Sequence, residues 1–332
     1  MSARIYYNTI HTKCQEVIFD KRRKTLGITV IGAVFVDIKG YPTDKYIPGG
    51  KNAGRVEQAH GGVSRNIVED IANVELRPTF VSVVDDSTLG DDVVKKLENH
   101  KVNTKYIKKT EDGLGTWLAI FDNTGDVVAA ISKRPDLSGI AETLNESGDE
   151  IFENSDSIAI EIDAEREILH KTFELAEKFH KDIYAVVSNM SIAVERRDYI
   201  KRTKCFICNK QEAGIFFSDD YEQLSSDEMR QVLSANVMRA QIPCMVVTLG
   251  EDGAVYATKD GKSGYCPAKH VNVVDTTGAG DSFFAGVTIG MTYGKSLEES
   301  LEIGSRLAAS VISTRDNVCP RFLPSEFGFD CQ

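Results

Sequence analysis

From residue 27 to residue 249, short β-branched apolar runs alternate with longer stretches that carry apolar residues at helical spacing. Strand–helix alternation over most of a chain predicts an α/β fold, with a doubly wound and mainly parallel sheet. The first run, "GITVIGAVFVDIKG" at 27–40, is almost continuously apolar and reads as one strand buried on both faces. A Gly-Gly turn then opens a helix over 60–74, with Val63, Ile67, Ile71 and Val74 on one side. Further strands are expected at 77–86, 156–162, 183–188, 204–208 and 243–249, and further helices at 89–102, 165–180 and 225–240. Two segments break the rhythm. Residues 41–60 hold turn formers without a helical period, and 115–132 read as a hairpin around "DNTG". Neither suits a βαβ crossover, so both are assigned to a small β lid. The main domain is then 27–40, 61–114 and 133–332, with 1–26 as an N-terminal extension.

Composition bounds the function. A net charge of −11 and a pI near 5.2 argue against nucleic-acid binding, which needs a basic surface. No apolar run approaches the roughly 18 residues of a membrane helix, so no membrane partner is expected. Seven scattered cysteines read as reduced thiols of a cytoplasmic protein. Cys205 and Cys208 form a lone C-x-x-C without a second ligand pair, so they read as thiols at a buried strand end rather than as a zinc site.

The segment "DTTGAGDSFF", 275–284, sets a glycine turn before an acid and an apolar helix. Gly278, Ala279 and Gly280 can point backbone N–H groups into one concavity, and the helix adds its positive end. That is an anion site without the spacing or the lysine of a P-loop. Asp281 caps the helix, or it accepts the proton of a hydroxyl that attacks a phosphoryl group. Phosphoryl transfer from a nucleotide calls for a divalent ion, and Asn209 with Glu212 could order one through water; helix capping is the alternative. Thr248, Gly250 and Gly253 follow a strand and suit nucleotide phosphates, or form a simple tight turn. Asp37, Gly61, Gly62 and Asn66 could hold the paired hydroxyls of a sugar, or serve turn geometry and capping.

Taken in order, these motifs resemble the PfkB and ribokinase family of carbohydrate kinases. "DTTGAGDSFFAG" is similar to its C-terminal signature, "GGVSRN" to its Gly-Gly motif, "VDDSTLGDD" to its G-D-D-x-x-G segment, "NKQE" to its N-x-x-E motif and "TLGEDG" to its nucleotide loop. Within the family, "NAGRVEQAHGGVSRNIVEDIA" and "FDNTGDVVAAI" are similar to pseudouridine kinases. The sequence departs from the family at Val84, where glycine is usual, and at Ala53, where those kinases carry proline. The resemblance implies a ribokinase-like fold and ATP-dependent phosphorylation of the 5′-hydroxyl of a nucleoside, with pseudouridine as the first acceptor. Another nucleoside, a free sugar or a non-catalytic nucleoside sensor are the alternatives.

The roles implied are Asp281 as base, Gly278, Ala279 and Gly280 as anion hole, and Asp37, Gly62 and Asn66 on the ribose. Glu212 and Asn209 would order Mg²⁺, while Thr248 and Gly250 line the nucleotide. Asp275 and Thr277 match positions that help hold a monovalent cation in potassium-activated members, which makes K⁺ a candidate. The exposed edges of a lid hairpin suggest a homodimer through the lid.

Overall fold

The computed structural model describes residues 27–123 and 126–329. The expected N-terminal extension lies outside them, as do residues 124–125 of the hairpin turn.

Among the described residues the strands form two sheets. The larger contains β1 (Gly27–Ile31), β4 (Thr79–Val84), β5 (Ile107–Lys109), β8 (Ser155–Glu161), β9 (Asp182–Val186), β10 (Cys205–Asn209), β11 (Cys244–Thr248), β12 (Ala254–Thr258) and β13 (Ser263–Cys266). Its order is β13-β12-β11-β10-β9-β8-β1-β4-β5. Only β12 and β13 run antiparallel to their neighbours. The smaller sheet is the lid, in the order β3-β2-β6-β7, from β2 (Phe35–Pro42), β3 (Gly54–Gly61), β6 (Gly115–Phe121) and β7 (Val127–Lys133).

Helices cover both faces of the larger sheet. On one side lie α1 (Val63–Asn73), α2 (Thr88–Asn99), α9 (Ala279–Thr292) and α10 (Leu297–Ile312); on the other lie α3 (Ser138–Glu153), α4 (Arg166–Lys178), α7 (Lys210–Phe217) and α8 (Ser226–Ala240). Short helices α5 (Met190–Ala193) and α6 (Arg197–Ile200) join β9 to β10. Alternate residues of one strand serve the two cores. On β11, Met245 and Val247 join the α8 side, whereas Cys244 and Val246 join the α9 side. That two-sided burial explains why the parallel strands read as unbroken apolar runs.

The sequence expectation needs correction at its first strand. Residues 27–40 are not one strand of the main sheet: β1 ends at Ile31 and β2 starts at Phe35 in the lid. Gly32 marks the break. A Cβ there would lie 2.0 Å from Ser64 Oγ and 2.7 Å from Glu161 Oε1, so helix α1 and strand β8 meet where a side chain would stand. Residues 54–61, which fall almost wholly in the stretch assigned to the lid although no strand was placed there, form β3, paired with β2 from Phe35↔Gly61 to Pro42↔Gly54. Helix α3, strand β12 and strand β13 were not anticipated. Cys205 and Cys208 are buried in β10, the buried strand expected for them, and Cys205 Sγ lies 3.6 Å from Cys244 Sγ. No helix among the described residues is long and apolar enough to cross a membrane.

Helix α9 is buried from Ser282 to Gly290, as an apolar helix between two layers should be. Its position depends on small residues. A Cβ at Gly286 would lie 2.7 Å from the Gly304 backbone in α10. Gly286→Val should therefore overpack this crossing and destabilise the protein by about 1–3 kcal/mol, read as a lowered urea midpoint at unchanged m-value. A midpoint equal to wild type would show that the two helices can separate freely.

Candidate active site

Parallel strands end on one edge of the large sheet, where helices begin. There α1 and α9 present their N-termini, capped by Gly62 (φ +99°) and Gly278 (φ +82°). Both glycines are forced. A Cβ on Gly62 would approach Ala33 O and Phe35 N to 3.0 Å, and one on Gly278 would meet Asn317 O at 2.0 Å. Gly280 is different: nothing lies within 4 Å of its Cβ position, so the space above it is open.

Asp281 stands in the first turn of α9, yet it makes no capping bond. Its Oδ2 accepts from Asn66 Nδ2 at 2.7 Å. The orientation of that amide is set from behind, because Asn66 Oδ1 accepts from Arg65 Nη1 at 2.9 Å. Burial pushes the Asp281 carboxyl up to about 7. The Asn66 hydrogen bond opposes the shift, and the Asp70 and Glu161 charges add to it. Asp281 thus makes no cap hydrogen bond, although its place in the first turn leaves it at the positive end of the α9 dipole.

Arg65 is itself fully buried and ion-paired with Glu69, while its Nη1 also reaches His60 O at 3.0 Å. Lys96 of α2 approaches Glu69 at 3.3 Å. Beside this network Asp70 is buried; it accepts from Ser282 Oγ at 2.7 Å and from Cys319 N at 2.6 Å. Burial raises its carboxyl to about 7 as well. The sequence reading overlooked Arg65, Glu69 and Asp70. A charged triplet on the inner side of an amphipathic helix was the available signal.

Asp37 lies in the middle of lid strand β2, not at the end of a main-sheet strand. Its carboxylate occupies the space that a Cβ on Gly61 would need, at 2.8 and 2.9 Å from its two oxygens. Burial raises the Asp37 carboxyl, against the pull of Lys39 and Arg65. The fold therefore brings Asp37 and Gly61 of the lid sheet together with Gly62 and Asn66 at the start of α1 and Gly278, Ala279, Gly280 and Asp281 at the start of α9.

A second group gathers at the ends of β10 and β11, where Asn209 and Thr248 are register partners. Asn209 Oδ1 accepts from Glu212 N, and Glu212 Oε2 accepts from Asn209 N, both at 2.8 Å. The capping alternative is realised. Burial also raises the Glu212 carboxyl, helped by the charge of Asp163. No group of three or more His, Cys, Asp or Glu side chains able to hold a metal occurs among the described residues. The amide and carboxylate are hard oxygen donors too few to enclose an ion, which fits Mg²⁺ held through retained waters.

Glu161 borders the first group: its Oε1 accepts from Ser64 Oγ at 2.6 Å, and its charge is felt at Asp281. The charge of Asp163 helps to raise both Glu161 and Glu212 and so lies between the two groups. Gly250 (φ +64°) is open, whereas Gly253 (φ +95°) faces Cys266 O, which a Cβ would approach to 2.2 Å. Gly253 thus serves the turn into β12. Asp275 Oδ1 accepts from Thr277 N at 2.8 Å, which orders the loop ahead of Gly278.

Known proteins resemble this chain in sequence and in fold. Guanosine-inosine kinase of Exiguobacterium acetylicum is 34% identical over 292 residues, which cover 87% of this chain and 95% of that protein. Pseudouridine kinase of Escherichia coli (strain K12) is 24% identical over 288 residues, covering 86% and 90%. In fold, the chain is similar to Arabidopsis thaliana ribokinase complexed with ribose and ATP, with a TM-score of 0.79 at 18% identity over 92% of this chain and 99% of that one. Ribokinase from Giardia lamblia gives 0.77 at 17% identity, over 91% and 99%. The family model of pfkB carbohydrate kinases matches residues 26–318, a span that holds the whole site from Asp37 to Asn317; the chain belongs to that family.

Proposed function

We propose that the protein transfers the γ-phosphoryl group of ATP to the 5′-hydroxyl of a nucleoside. One observation carries the reading. A carboxyl poised near neutrality, Asp281, is held by Asn66 beside the open N-terminus of α9. The 5′-oxygen attacks the γ-phosphorus and the bond to the bridging oxygen of ADP breaks. The proton of the hydroxyl passes to Asp281. The first-turn amides of α9 face the charge that builds on the transferring oxygens. Asp37 and Asn66 would hold the ribose hydroxyls, and Thr248 and Gly250 the nucleotide. Glu212 and Asn209 would hold Mg²⁺ through water, which neutralises phosphate charge when bound. Asp275 and Thr277 remain the candidates for K⁺.

The 34% identity to a guanosine-inosine kinase favours a purine nucleoside as acceptor. Pseudouridine is the second reading, favoured by the lid segments similar to pseudouridine kinases. A coupled ADP-release assay with ATP and Mg²⁺ should show turnover strongest with guanosine or inosine across a panel that includes pseudouridine, adenosine and ribose. A preference for ribose would overturn the nucleoside reading, and silence with every acceptor would favour the sensor.

Two substitutions separate the proposed roles. Asp281→Asn should lower kcat by roughly 10²–10⁴, the loss expected for a positioned base. It should also abolish the acid limb of kcat/KM, expected near pH 7 because the base works only when deprotonated. Asp37→Ala should act mainly by raising the nucleoside KM. Equal turnover in Asp281→Asn would remove the base assignment.

The lid face opposite Asp37 exposes Val56, Leu118 and Ile131. We propose that a homodimer covers this face. Sedimentation should give a dimer that Ile131→Lys converts to monomer; a monomeric wild type would refute it.

A further inference from the structure

The lid carries more than Asp37. Strands β2 and β6 run parallel, and Trp117 is the register partner of Asp37. Register partners on neighbouring strands project from the same face, about 5 Å apart. Side chains alternate along each strand, so Lys39 and Tyr41 of β2 and Ala119 and Phe121 of β6 share that face. It looks into the site. Asp37 packs over Gly61, and the charge of Asp275 reaches both Lys39 and Tyr41.

The aromatic side chains on this face form a supported row. Phe121 stacks on Tyr41 at 4.7 Å between ring centroids, and the Arg55 guanidinium lies 4.3 Å from the Tyr41 centroid. Trp117 meets Phe121 edge to face at 6.4 Å. Ala119, between Trp117 and Phe121 on the same face, is fully buried. Trp117 ends the row next to Asp37. That edge contact is its only ring contact among the described residues, and its indole N–H donates to no described residue. The indole is half-buried.

This places a flat apolar platform beside the groups that suit a sugar. A free sugar would use Asp37 and Asn66 and leave the indole without a partner. A nucleoside presents hydroxyls to the first and a π-face to the second, and a purine offers two fused rings to the two rings of indole. We propose that Trp117 is the nucleobase platform, stacking on the base of a purine nucleoside whose ribose is held by Asp37. This rests on the nucleoside reading of the acceptor.

Trp117 is the only tryptophan of the chain, so the protein reports on its own site. Titration with guanosine or inosine should quench its fluorescence, pseudouridine should quench it less, and ribose should leave it unchanged. Trp117→Ala should raise KM for guanosine by roughly 5- to 150-fold, the range of base–aromatic stacking, with a smaller change in kcat. Trp117→Phe should fall between the two. The quench uses the wild-type chain, so it stands even if a variant fails to fold. If guanosine is phosphorylated while fluorescence stays constant, the platform assignment is wrong and the nucleoside reading survives. If ribose is phosphorylated and no nucleoside is, the nucleoside reading falls and the platform falls with it.

Discussion

A single buried guanidinium organises the site. Arg65 has no exposed surface, yet its terminal nitrogens bond to the lid through His60 O, to Asn66 beside it and to Glu69 one turn on. Its Nε has no hydrogen-bond partner. A buried ion pair of this kind rarely adds net stability over an apolar pair, while losing one partner costs about 3–5 kcal/mol. What the network secures is direction. With Arg65 donating to Asn66 Oδ1, only the Nδ2 group of that amide is left to face Asp281. The base candidate is thus aimed by a charge two residues removed from the acceptor.

The same region concentrates carboxyl groups that burial pushes upward. Asp37, Asp70, Glu161, Glu212 and Asp281 all sit above their ordinary range. For a chain of net charge −11, this is a poor surface for collecting anions by long-range attraction. Any phosphate accepted here must be held by short-range donors. The N-terminus of α9 supplies them in a form that is fixed by the glycine geometry and independent of pH.

Much of this was legible in the sequence. Strand–helix alternation specified the large sheet, because parallel strands buried on both faces must be apolar throughout. The glycine turn before Asp281 specified a helix N-terminus with open backbone. The same uniformity hid the break at Gly32, since an apolar run does not say which of two sheets it enters. The contact that forces that glycine comes from Ser64 and Glu161, distant in sequence. Strand β3 was missed because "GRVEQAHG" is mostly exposed and lacks apolar alternation. The roles of Arg65 and Asn66 could not be separated without their partners at Glu69 and Asp281. The pairing of Asp37 with Trp117 depends on a register that no local pattern encodes.

The split between β1 and β2 has a consequence for how such a protein changes over time. Asp37 and its neighbours belong to the lid, whereas Asp281 and the first turn of α9 belong to the core. On the proposed assignment, Asp37 and Trp117, which would choose the acceptor, stand on the lid sheet, apart from the α9 groups that would move the phosphoryl, while Asn66 belongs to α1. Apart from Val36 and Ala119, side chains in the middle of the lid strands are only partly buried or exposed, so their exchange disturbs little packing. On that assignment, a new acceptor could be accommodated by changes on the lid while the groups at the start of α9 stay as they are.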